Sequence, residues 1–424
     1  MKILIDWGGY SLNNRGDTAM LQIAVERLSN IWSDASIQVI TTDPEKLAIC
    51  CPKAEPLSPY GRETWFFPLC GRARNLIPTP WRAKLEWQLR SYLPSFSRYI
   101  IEFKFRKKPE RAKEFKRFMQ SISDADLVVA AGGGYITDSF EHHAVSVLET
   151  LRLAVELGKP SVMFGQGLGP INNKMILDKA KAVLPSVALI GLREQKAGVP
   201  ILNSINVAQN KMAVTGDDAI ELAYKARSEK FGNGIGINLR YARYSGIDRE
   251  VFEIVRLALH DVARRKSAPL VPIPISFTGN KDGDELSDSM SIQKLLRDYD
   301  DDSDGGQSLE TPLKVIQQVG SCRVVVTGSY HAGVFALSQG IPVVALAKSE
   351  YYMDKFLGLA DQFEVGCEVV SLNTQKLREK LVNSISTAYE SSEQLRPQLL
   401  AVARKQIELG QMAYKRVYEV VNSR

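Results

Sequence analysis

His331 is the residue with the clearest capacity for chemistry, and it is one of only four histidines in a chain of 424 residues. It follows the apolar run RVVVTG at residues 323–328 and lies near the start of SYHAGVFALSQG at residues 329–340. This pattern predicts a buried strand that ends just before a helix, which is where open α/β sheets bind ligands. We expect His331 to act as a catalytic group near neutral pH. The alternative is a structural histidine held by neighbouring backbone groups.

Other titratable groups follow predicted strands in the same way. Asp217 and Asp218, in the segment VTGDDA, come at the end of a predicted strand, where a carboxylate can orient a histidine or accept a proton. Aspartate is also common as the N-cap of a helix, and this role stays open as the alternative. His142 and His143 follow the segment GGG at residues 132–134 and are further candidates.

Three glycine-rich segments offer backbone N–H groups that no Cβ atom obstructs. They are GGYSLNNRGD at residues 8–17, GGG at residues 132–134 and GQGLGP at residues 165–170. Each follows a predicted strand, so together they would form one anion-binding crevice at the carboxyl end of a sheet. Tight-turn geometry alone is the alternative. The predicted ligand contacts are Asn14, Arg15, Gly16, Asp17, Gly133, Gly134, Gln166 and Gly167.

Fixed cations also stand at the ends of predicted strands. Arg193 ends VALIGLR, Arg240 ends GIGINLR and Lys348 ends PVVALAK. Guanidinium and ammonium groups bind carboxylate and phosphate oxygens, so we expect these three side chains to reach the same crevice. Structural ion pairing with nearby acidic residues is the alternative.

The alternation of apolar runs and helical patterns predicts an α/β fold. The runs are uniformly apolar, which is typical of parallel strands buried between helices. A polar break at residues 224–233 divides the pattern into two sets. We predict two Rossmann-like domains that face a cleft, at residues 1–225 and 232–424, with long helices at the carboxyl end of the second. This arrangement is similar to that of B-type glycosyltransferases.

Positive charge is concentrated in one segment. The formal net charge is +6, but residues 60–117 contain 15 Lys and Arg against 5 Asp and Glu, which leaves −4 for the remainder. Tryptophan, tyrosine and phenylalanine are interleaved with these bases. We therefore predict a basic insert that contacts an anionic partner, such as a membrane surface or a lipid-linked phosphosugar. A solvated helical segment whose aromatic residues pack on the body is the alternative, and nucleic acid is not expected as a partner.

Several other classes are disfavoured by the sequence. No segment approaches the roughly 18 apolar residues of a membrane span, so we expect a soluble cytoplasmic protein, with peripheral contact at the inner membrane face through the insert. Asp300, Asp302 and Asp304 begin like a calcium loop, but Thr311 occupies the place of the bidentate glutamate. No metal and no cofactor are expected. Oligomeric state is not specified.

Taken in order, these motifs resemble the polysaccharide pyruvyl transferase family. The resemblance spans most of the chain except the basic insert, and it implies a GT-B-like fold. It also implies that the protein transfers pyruvate from phosphoenolpyruvate to the hydroxyls of a sugar or lipid-linked glycan, giving a cyclic ketal and phosphate. The matching segments are NNRGD at 13–17, AGGGYITD at 131–138, GQGLGP at 165–170, LRE at 192–194, VTGDDA at 214–219, and SYHAGVFALSQGIPVVAL at 329–346 with Asp354 and Lys355 after it.

The resemblance implies roles for individual residues. His331 matches the family's histidine near the scissile donor, and we expect it to act as a general acid or to stabilise the phosphate. Asp217 or Asp218 is a weaker candidate for the base. Phosphoenolpyruvate carries a phosphate and a carboxylate, so its pocket needs several fixed donors beside the glycine-rich segments. The expected cations are Arg15, Arg193, Arg240 and Lys355.

Ser329 departs from the family pattern, which commonly has an arginine two residues before the histidine. A serine does not replace a guanidinium, whose charged hydrogen bonds contribute about 1.5–3 kcal/mol each. Either another cation such as Arg240 or Lys348 substitutes, with Ser329 and Tyr330 still contacting the substrate, or the donor differs. The alternatives are therefore a GT-B glycosyltransferase that uses a nucleotide sugar and a degenerate sugar-phosphate-binding module.

Overall fold

The structure is a computed structural model that describes residues 1–69, 79–239, 241, 245–279 and 286–422, without the side chains of residues 79–84 and 91. In this part of the chain, two parallel sheets are enclosed by helices. The strands are β1 (Lys2–Asp6), β2 (Ser36–Ile40), β3 (Ala54–Leu57), β4 (Leu127–Ala130), β5 (Gly133–Ile136), β6 (Ser161–Leu168), β7 (Leu189–Leu192), β8 (Met212–Val214), β9 (Gly234–Asn238), β10 (Leu270–Pro272), β11 (Cys322–Thr327), β12 (Val343–Ala347) and β13 (Cys367–Ser371). The helices are α1 (Arg15–Ile31), α2 (Pro44–Cys50), α3 (Tyr60–Trp65), α4 (Thr79–Tyr92), α5 (Pro94–Phe105), α6 (Pro109–Asp124), α7 (Glu141–Glu156), α8 (Lys174–Val183), α9 (Gly198–Ser204), α10 (Ala219–Lys225), α11 (Arg249–Lys266), α12 (Asp288–Leu296), α13 (Pro312–Val319), α14 (Tyr330–Ser338), α15 (Glu350–Phe363) and α16 (Leu377–Asn422).

The N-terminal sheet has the strand order β3-β2-β1-β4-β6-β7-β8, and β5 pairs with β6. Its pairings are parallel throughout the described strands. All four residues of β4 are buried, because helices cover both faces of the sheet. The strand order reverses between β1 and β4, which makes the carboxyl ends of these two strands the natural place for a ligand.

The C-terminal sheet has the order β10-β9-β11-β12-β13 and is also parallel. Its order reverses between β9 and β11, so the segment after β11 lies at a second switch point. The predicted α/β class, with one parallel sheet on each side of the polar break, is therefore confirmed.

The helix α16 connects the two bodies. Near its carboxyl end, the ring of Tyr414 stacks on Phe164 of β6 with 3.6 Å between centroids. The Tyr414 hydroxyl also donates a hydrogen bond to Asp218 Oδ2 at 2.8 Å. The last turns of α16 thus pack with the N-terminal sheet, although the sequence places them in the second domain. The limits 1–225 and 232–424 stay a prediction.

The carboxyl ends of the two sheets are held toward each other by direct contacts. Met20 of α1 and Phe335 of α14 are fully buried in one shared apolar cluster. Two backbone hydrogen bonds join loops of the two bodies, from Arg15 N to Ile275 O at 2.8 Å and from Phe277 N to Asn13 O at 2.9 Å. These contacts define a cleft between the sheets.

The basic insert forms α3 to α6 and packs beside α7. Trp65 is fully buried, and its Nε1 donates to Glu149 Oε1 at 2.9 Å. Arg90 is also buried and donates to the carbonyls of Trp65 and Phe67 at 3.1 and 2.8 Å. On this inner face, the alternative interpretation that the aromatic residues pack on the body is correct. None of the described helices has the length and apolarity needed to cross a membrane.

Arg27→Met is expected to destabilise the N-terminal body, because two buried carboxylates lose the guanidinium that pairs with both of them. Arg27 Nη1 lies 2.6 Å from Asp218 Oδ1, and Nη2 lies 2.7 Å from Glu221 Oε2. Removing one partner from a buried ion pair costs about 3–5 kcal/mol. Urea unfolding measures this change in the free energy of unfolding.

Lys225→Met is the matched control, since Lys225 pairs with the same Glu221 but is half exposed. Its loss is expected to cost less than about 1 kcal/mol. Equal destabilisation by the two substitutions would show that burial does not increase the contribution of the Arg27 ion pairs to the free energy of unfolding.

Candidate functional site

A cavity of about 530 Å³ lies in the cleft, where the carboxyl ends of the two sheets face each other. Loops after β1 and residues of β5 form one wall, and the amino ends of α14 and α15 form the other. The structure thus brings together many residues that were predicted from separate motifs. The predicted residues that line the cavity are Asn14, Asp17, Gly134, Arg193, Ser329, Tyr330, His331 and Lys355.

His331 is the second residue of α14, at the switch point of the C-terminal sheet. The preceding turn is fixed by Thr327, whose Oγ1 accepts from Ser329 N at 2.8 Å and donates to Ser329 O at 3.0 Å. The imidazole is only 6% exposed, but it lines the cavity between the bodies. Its position therefore agrees with a role at the site.

The ring of His331 packs on the amino end of α1, in the other body. A Cβ atom added at Gly16 would lie 2.0 Å from His331 Cγ, so only glycine leaves room for the ring. Asn14 caps α1 by accepting hydrogen bonds from Gly16 N at 3.0 Å and Asp17 N at 3.1 Å. The segment NNRGD therefore positions the imidazole, in addition to lining the cavity through Asn14 and Asp17.

Asp217 lies behind His331 and is fully buried. Its Oδ2 is 3.6 Å from His331 Nε2 and 3.7 Å from Arg193 Nη1, and its Oδ1 accepts from Ala219 N at 2.9 Å. Burial opposes ionisation, but His331 and Arg193 outweigh it and hold the pKa of Asp217 below its usual value. The ionised carboxylate therefore lies within reach of both the His331 ring and the Arg193 guanidinium. Asp217 is thus suited to support His331 and does not line the cavity itself.

Asp218 and Gln166 are directed away from the cavity, which corrects their predicted roles. Asp218 forms an ion pair with Arg27 and accepts a hydrogen bond from the Tyr414 hydroxyl, and burial raises its pKa to about 6. Gln166 is buried in the sheet, where Nε2 lies 3.1 Å from both Ala130 O and the Tyr135 hydroxyl. Neighbouring positions on a strand or loop point to opposite sides, and the sequence does not show which side faces the cleft.

Arg15 and Lys348 also do not reach the cavity. Arg15 Nη1 donates to Leu12 O at 3.0 Å, and its guanidinium lies 4.1 Å from the ring centre of Phe277, so this residue joins the two bodies. Lys348 Nζ lies 2.5 Å from Asp248 Oδ2, which is the ion pairing considered as the alternative. Arg240, the third predicted strand-end cation, lies outside the described residues.

Arg193 and Lys355 converge on one point of the cavity wall. A Cβ atom at Gly134 would lie 2.8 Å from both Arg193 Nη2 and Lys355 Nζ, so the missing side chain leaves this point open. The Arg193 guanidinium is supported by the Tyr330 ring, 4.1 Å from its centre. Lys355 donates to the Tyr351 hydroxyl. Two cations beside a glycine can bind an anion.

Burial, and to a smaller extent Arg193, hold the pKa of Lys355 well below its usual value. No carboxylate of the described residues forms an ion pair with Lys355. An anion bound at this point would favour the charged ammonium and reverse part of that shift. Within the described residues, Lys355 is therefore a buried amine without an ion-pair partner, beside which an anion can bind.

The two remaining predicted glycines are structural supports of the same wall. Gly167 lines a side cavity of about 50 Å³, where an added Cβ would lie 2.6 Å from Arg193 Nε. Gly133 packs under Tyr135, whose Cδ1 would lie 2.5 Å from an added Cβ. Both glycines make space for side chains that form the site.

Sequence reasoning named Tyr330 but missed the other aromatic residues of the cavity, and it named His143 only as a further candidate. Tyr10 and His143 lie 5.6 Å apart, and Phe140 faces Tyr351 of the other body at 6.3 Å, between ring centroids. His143 Nδ1 is buried without a hydrogen-bond partner, while burial and His142 lower its pKa. Tyr351 and Tyr352 follow a predicted strand, and this signal alone could have indicated them.

Solved structures show which class of fold this is. The chain is similar to a Listeria monocytogenes protein assigned as a UDP-N-acetylglucosamine 2-epimerase, with 13% identity, coverage of 100% and 96% of the two chains, and a TM-score of 0.57. It is also similar to the UDP-GlcNAc 2-epimerase of Methanocaldococcus jannaschii, with 12% identity, 99% coverage of both chains and a TM-score of 0.54. The enzyme from Neisseria meningitidis bound to UDP-GlcNAc gives 12% identity, full coverage of both chains and a TM-score of 0.52. The chain has the two-domain GT-B fold.

A family model described as polysaccharide pyruvyl transferase matches residues 14–350. The chain therefore belongs to the polysaccharide pyruvyl transferase family and is a transferase, as the order of its motifs predicted. No individually curated protein matches it. The matched range includes Arg193, Asp217 and His331, while Tyr351 and Lys355 lie just beyond it.

Sulfate binding to the cavity is expected to weaken as the pH rises through the lowered pKa of Lys355. Below that pKa the ammonium is charged and attracts the anion, and above it the neutral amine does not. Sulfate stays fully ionised across this range, so only the charge of the protein changes. Calorimetric titration at a series of pH values should show affinity falling by up to about tenfold per pH unit above the pKa.

Lys355→Met should bind sulfate more weakly at low pH, and its sulfate affinity should no longer fall as the pH rises. Lys348→Met, which removes a surface ammonium paired with Asp248, should behave like the wild type. If the sulfate affinity of Lys355→Met depends on pH as in the wild type, Lys355 is not the group whose titration controls anion binding.

Proposed function

We propose that this protein transfers pyruvate from phosphoenolpyruvate to hydroxyl groups of a sugar in a polysaccharide or glycan precursor, with ketal formation. The observation that carries the proposal is the convergence of Arg193 and Lys355 over Gly134, in a cavity that His331 also lines. Phosphoenolpyruvate needs cations for its phosphate and carboxylate and an acid for its methylene carbon. This combination fits the donor set of the cavity.

The reaction is balanced without a metal or a cofactor. The methylene carbon of the donor takes up a proton, and the first sugar hydroxyl adds to the central carbon. The second hydroxyl then displaces phosphate and closes the ketal. One hydroxyl proton ends on the new methyl group, and the other leaves with the phosphate. His331 either delivers the proton to the donor or stabilises the departing phosphate, and Asp217, 3.6 Å from its Nε2, orients the imidazole.

Arg193 and Lys355 take over the function of the arginine that the family commonly has at position 329. Arg193 follows β7 in the N-terminal body, and Lys355 belongs to α15 in the other body. Ser329 lines the cavity with a neutral hydroxyl. Lys348, considered from the sequence as a substitute, is paired with Asp248 and is not needed for this role.

The acceptor sugar is placed on the aromatic side of the cavity. Tyr10, Phe140, Tyr351 and Tyr352 line this side, and aromatic rings pack well against the C–H face of a sugar ring. His143 lines the same side, and its lowered pKa keeps the imidazole neutral at neutral pH. His143 is therefore the proposed base for the acceptor hydroxyl, in place of Asp217 and Asp218.

The proposed reaction takes place on the cytoplasmic side. Its partners are the small-molecule donor and a sugar or lipid-linked glycan, with no nucleic acid. When the acceptor is lipid-linked, the basic insert makes peripheral contact with the inner membrane face.

Acceptor-dependent release of phosphate from phosphoenolpyruvate is the direct test. A panel of sugars and glycan precursors is incubated with the protein and donor, and the ketal is identified by mass spectrometry. His331→Ala should lower the rate by about 10²–10⁴-fold with an unchanged thermal unfolding midpoint. If UDP-GlcNAc stabilises the protein and phosphoenolpyruvate does not, the function is glycosyl transfer. If neither ligand binds, the protein is not this enzyme.

Substitutions of the neighbouring residues Asp217 and Asp218 should have different effects on kcat. Asp217→Asn removes the charge beside His331, so kcat is expected to fall by about 10²-fold or more with little change in the KM for phosphoenolpyruvate. Asp218→Asn disturbs only the Arg27 cluster, so the folded variant should keep a kcat close to wild type. A comparable loss of kcat in both variants, measured on folded protein, would refute the role of Asp217.

A further inference from the structure

The outer face of α5 is apolar where a surface helix is normally polar. Phe96, Tyr99 and Phe103 follow the spacing i, i+3 and i+7, and their side chains are 53%, 63% and 52% exposed. The opposite face of the helix already contributes Ile101 and Phe105 to the core. The helix thus has a second apolar stripe that the described part of the chain leaves exposed.

This stripe continues into the end of α4. Tyr92 is 78% exposed, and Leu93, which precedes α5, is 52% exposed. We call these five exposed residues the aromatic ridge: Tyr92, Leu93, Phe96, Tyr99 and Phe103. Contiguous apolar patches of this kind are uncommon on monomeric proteins and indicate an interaction site.

Basic residues border the aromatic ridge. Residues 98–117 contain nine Lys and Arg against three Glu. Arg106, Lys107 and Lys108 are exposed at the end of α5, and the Arg106 guanidinium lies 4.1 Å from the ring centre of Phe103. Arg98 pairs with Glu102 on the same helix. Exposed aromatic rings bordered by bases are typical of surfaces that bind the interface of an anionic membrane.

Charge complementarity favours an anionic membrane, rather than a second copy of this chain, as the partner of the aromatic ridge. Pairing two copies through the ridge would bring two basic borders together, which electrostatic repulsion opposes. An anionic bilayer instead supplies the opposite charge and an apolar phase for the rings. Each exposed base near such a surface adds electrostatic attraction, and each ring adds burial of apolar area.

The insert that carries the ridge is attached directly to the wall of the cavity. Arg62 of α3 binds Asp6 Oδ2 at 2.7 Å, and its guanidinium lies 4.6 Å from the ring centre of Tyr10. Tyr10 lines the cavity. A membrane bound at the insert would therefore be linked to the site through a short and buried chain of contacts.

We propose that the aromatic ridge and its basic border bind the surface of bilayers that contain anionic phospholipids, with the ridge side chains entering the interfacial layer. This inference rests on the membrane contact included in the proposed function, and it specifies the surface and the lipid chemistry.

Co-sedimentation of the full chain with vesicles tests the inference. The vesicles consist of phosphatidylcholine with or without phosphatidylglycerol, and no phosphoenolpyruvate or acceptor is added. Binding is expected only with phosphatidylglycerol and should weaken with salt. The triple variant Phe96→Ser, Tyr99→Ser and Phe103→Ser should lower the apparent partition at least about tenfold.

The control variant Met412→Ser and Tyr418→Ser removes two apolar side chains that are equally exposed on α16. It should bind vesicles like the wild type. Thermal unfolding midpoints establish that both variants are folded, and Lys107→Glu with Lys108→Glu provides a second test through charge alone, with weaker binding expected.

Wild-type binding by the triple variant, or no vesicle binding by the wild-type chain, would overturn the inference. A wild-type dimer in light scattering that the ridge substitutions dissociate, without vesicle binding, would identify the ridge as a homodimer surface and also overturn it. Phosphate release with a soluble acceptor is measured separately and should be unchanged in the triple variant. If that assay fails in the wild type while vesicles bind, only the proposed reaction is wrong.

Discussion

The close approach of His331 to Gly16 is the constraint on which the site depends. The amino end of α14 lies at the switch point of the C-terminal sheet, and the amino end of α1 follows β1 at the switch point of the N-terminal sheet. Because a single Cβ at residue 16 would occupy the space of the imidazole, the two helix ends can meet only at glycine. The shared apolar cluster and the paired loops around Ile275 hold this contact in place. The proposed catalytic histidine of one body is thus positioned by the backbone of the other.

The electrostatics of the site follow from the same arrangement. One buried carboxylate, Asp217, lies beside both His331 and Arg193, while Lys355 is buried nearby with a lowered pKa. Burial of Lys355 without an ion-pair partner among the described residues costs free energy while no anion is bound. An anion bound beside this lysine would offset part of that cost. Groups that are fixed before the substrate arrives need little reorganisation during the reaction, which is the usual origin of electrostatic catalysis.

The sequence predicted the elements well and the directions of side chains poorly. Uniformly apolar runs and helical periodicity are local signals, so the parallel strands, the helix after β11 and the position of His331 could be predicted. Arg15, Asp218 and Lys348 also follow strands, but their side chains are directed to Phe277, Arg27 and Asp248. Such directions depend on contacts between segments that are distant in sequence. The same reason explains why the cavity aromatic residues other than Tyr330, and the return of α16 to the N-terminal sheet, were not predicted.

The serine at position 329 changes how the two bodies cooperate. An arginine there would add a cation to the turn before α14, in the same cavity as Arg193 and Lys355, and like charges in one cavity oppose each other. With Ser329, the basic groups that converge beside Gly134 are Arg193 of one body and Lys355 of the other, and the Tyr330 ring packs on the Arg193 guanidinium. An anion bound over Gly134 would contact both bodies at once. Binding of the donor would then strengthen the association of the two domains, which is the association that places His331 against Gly16.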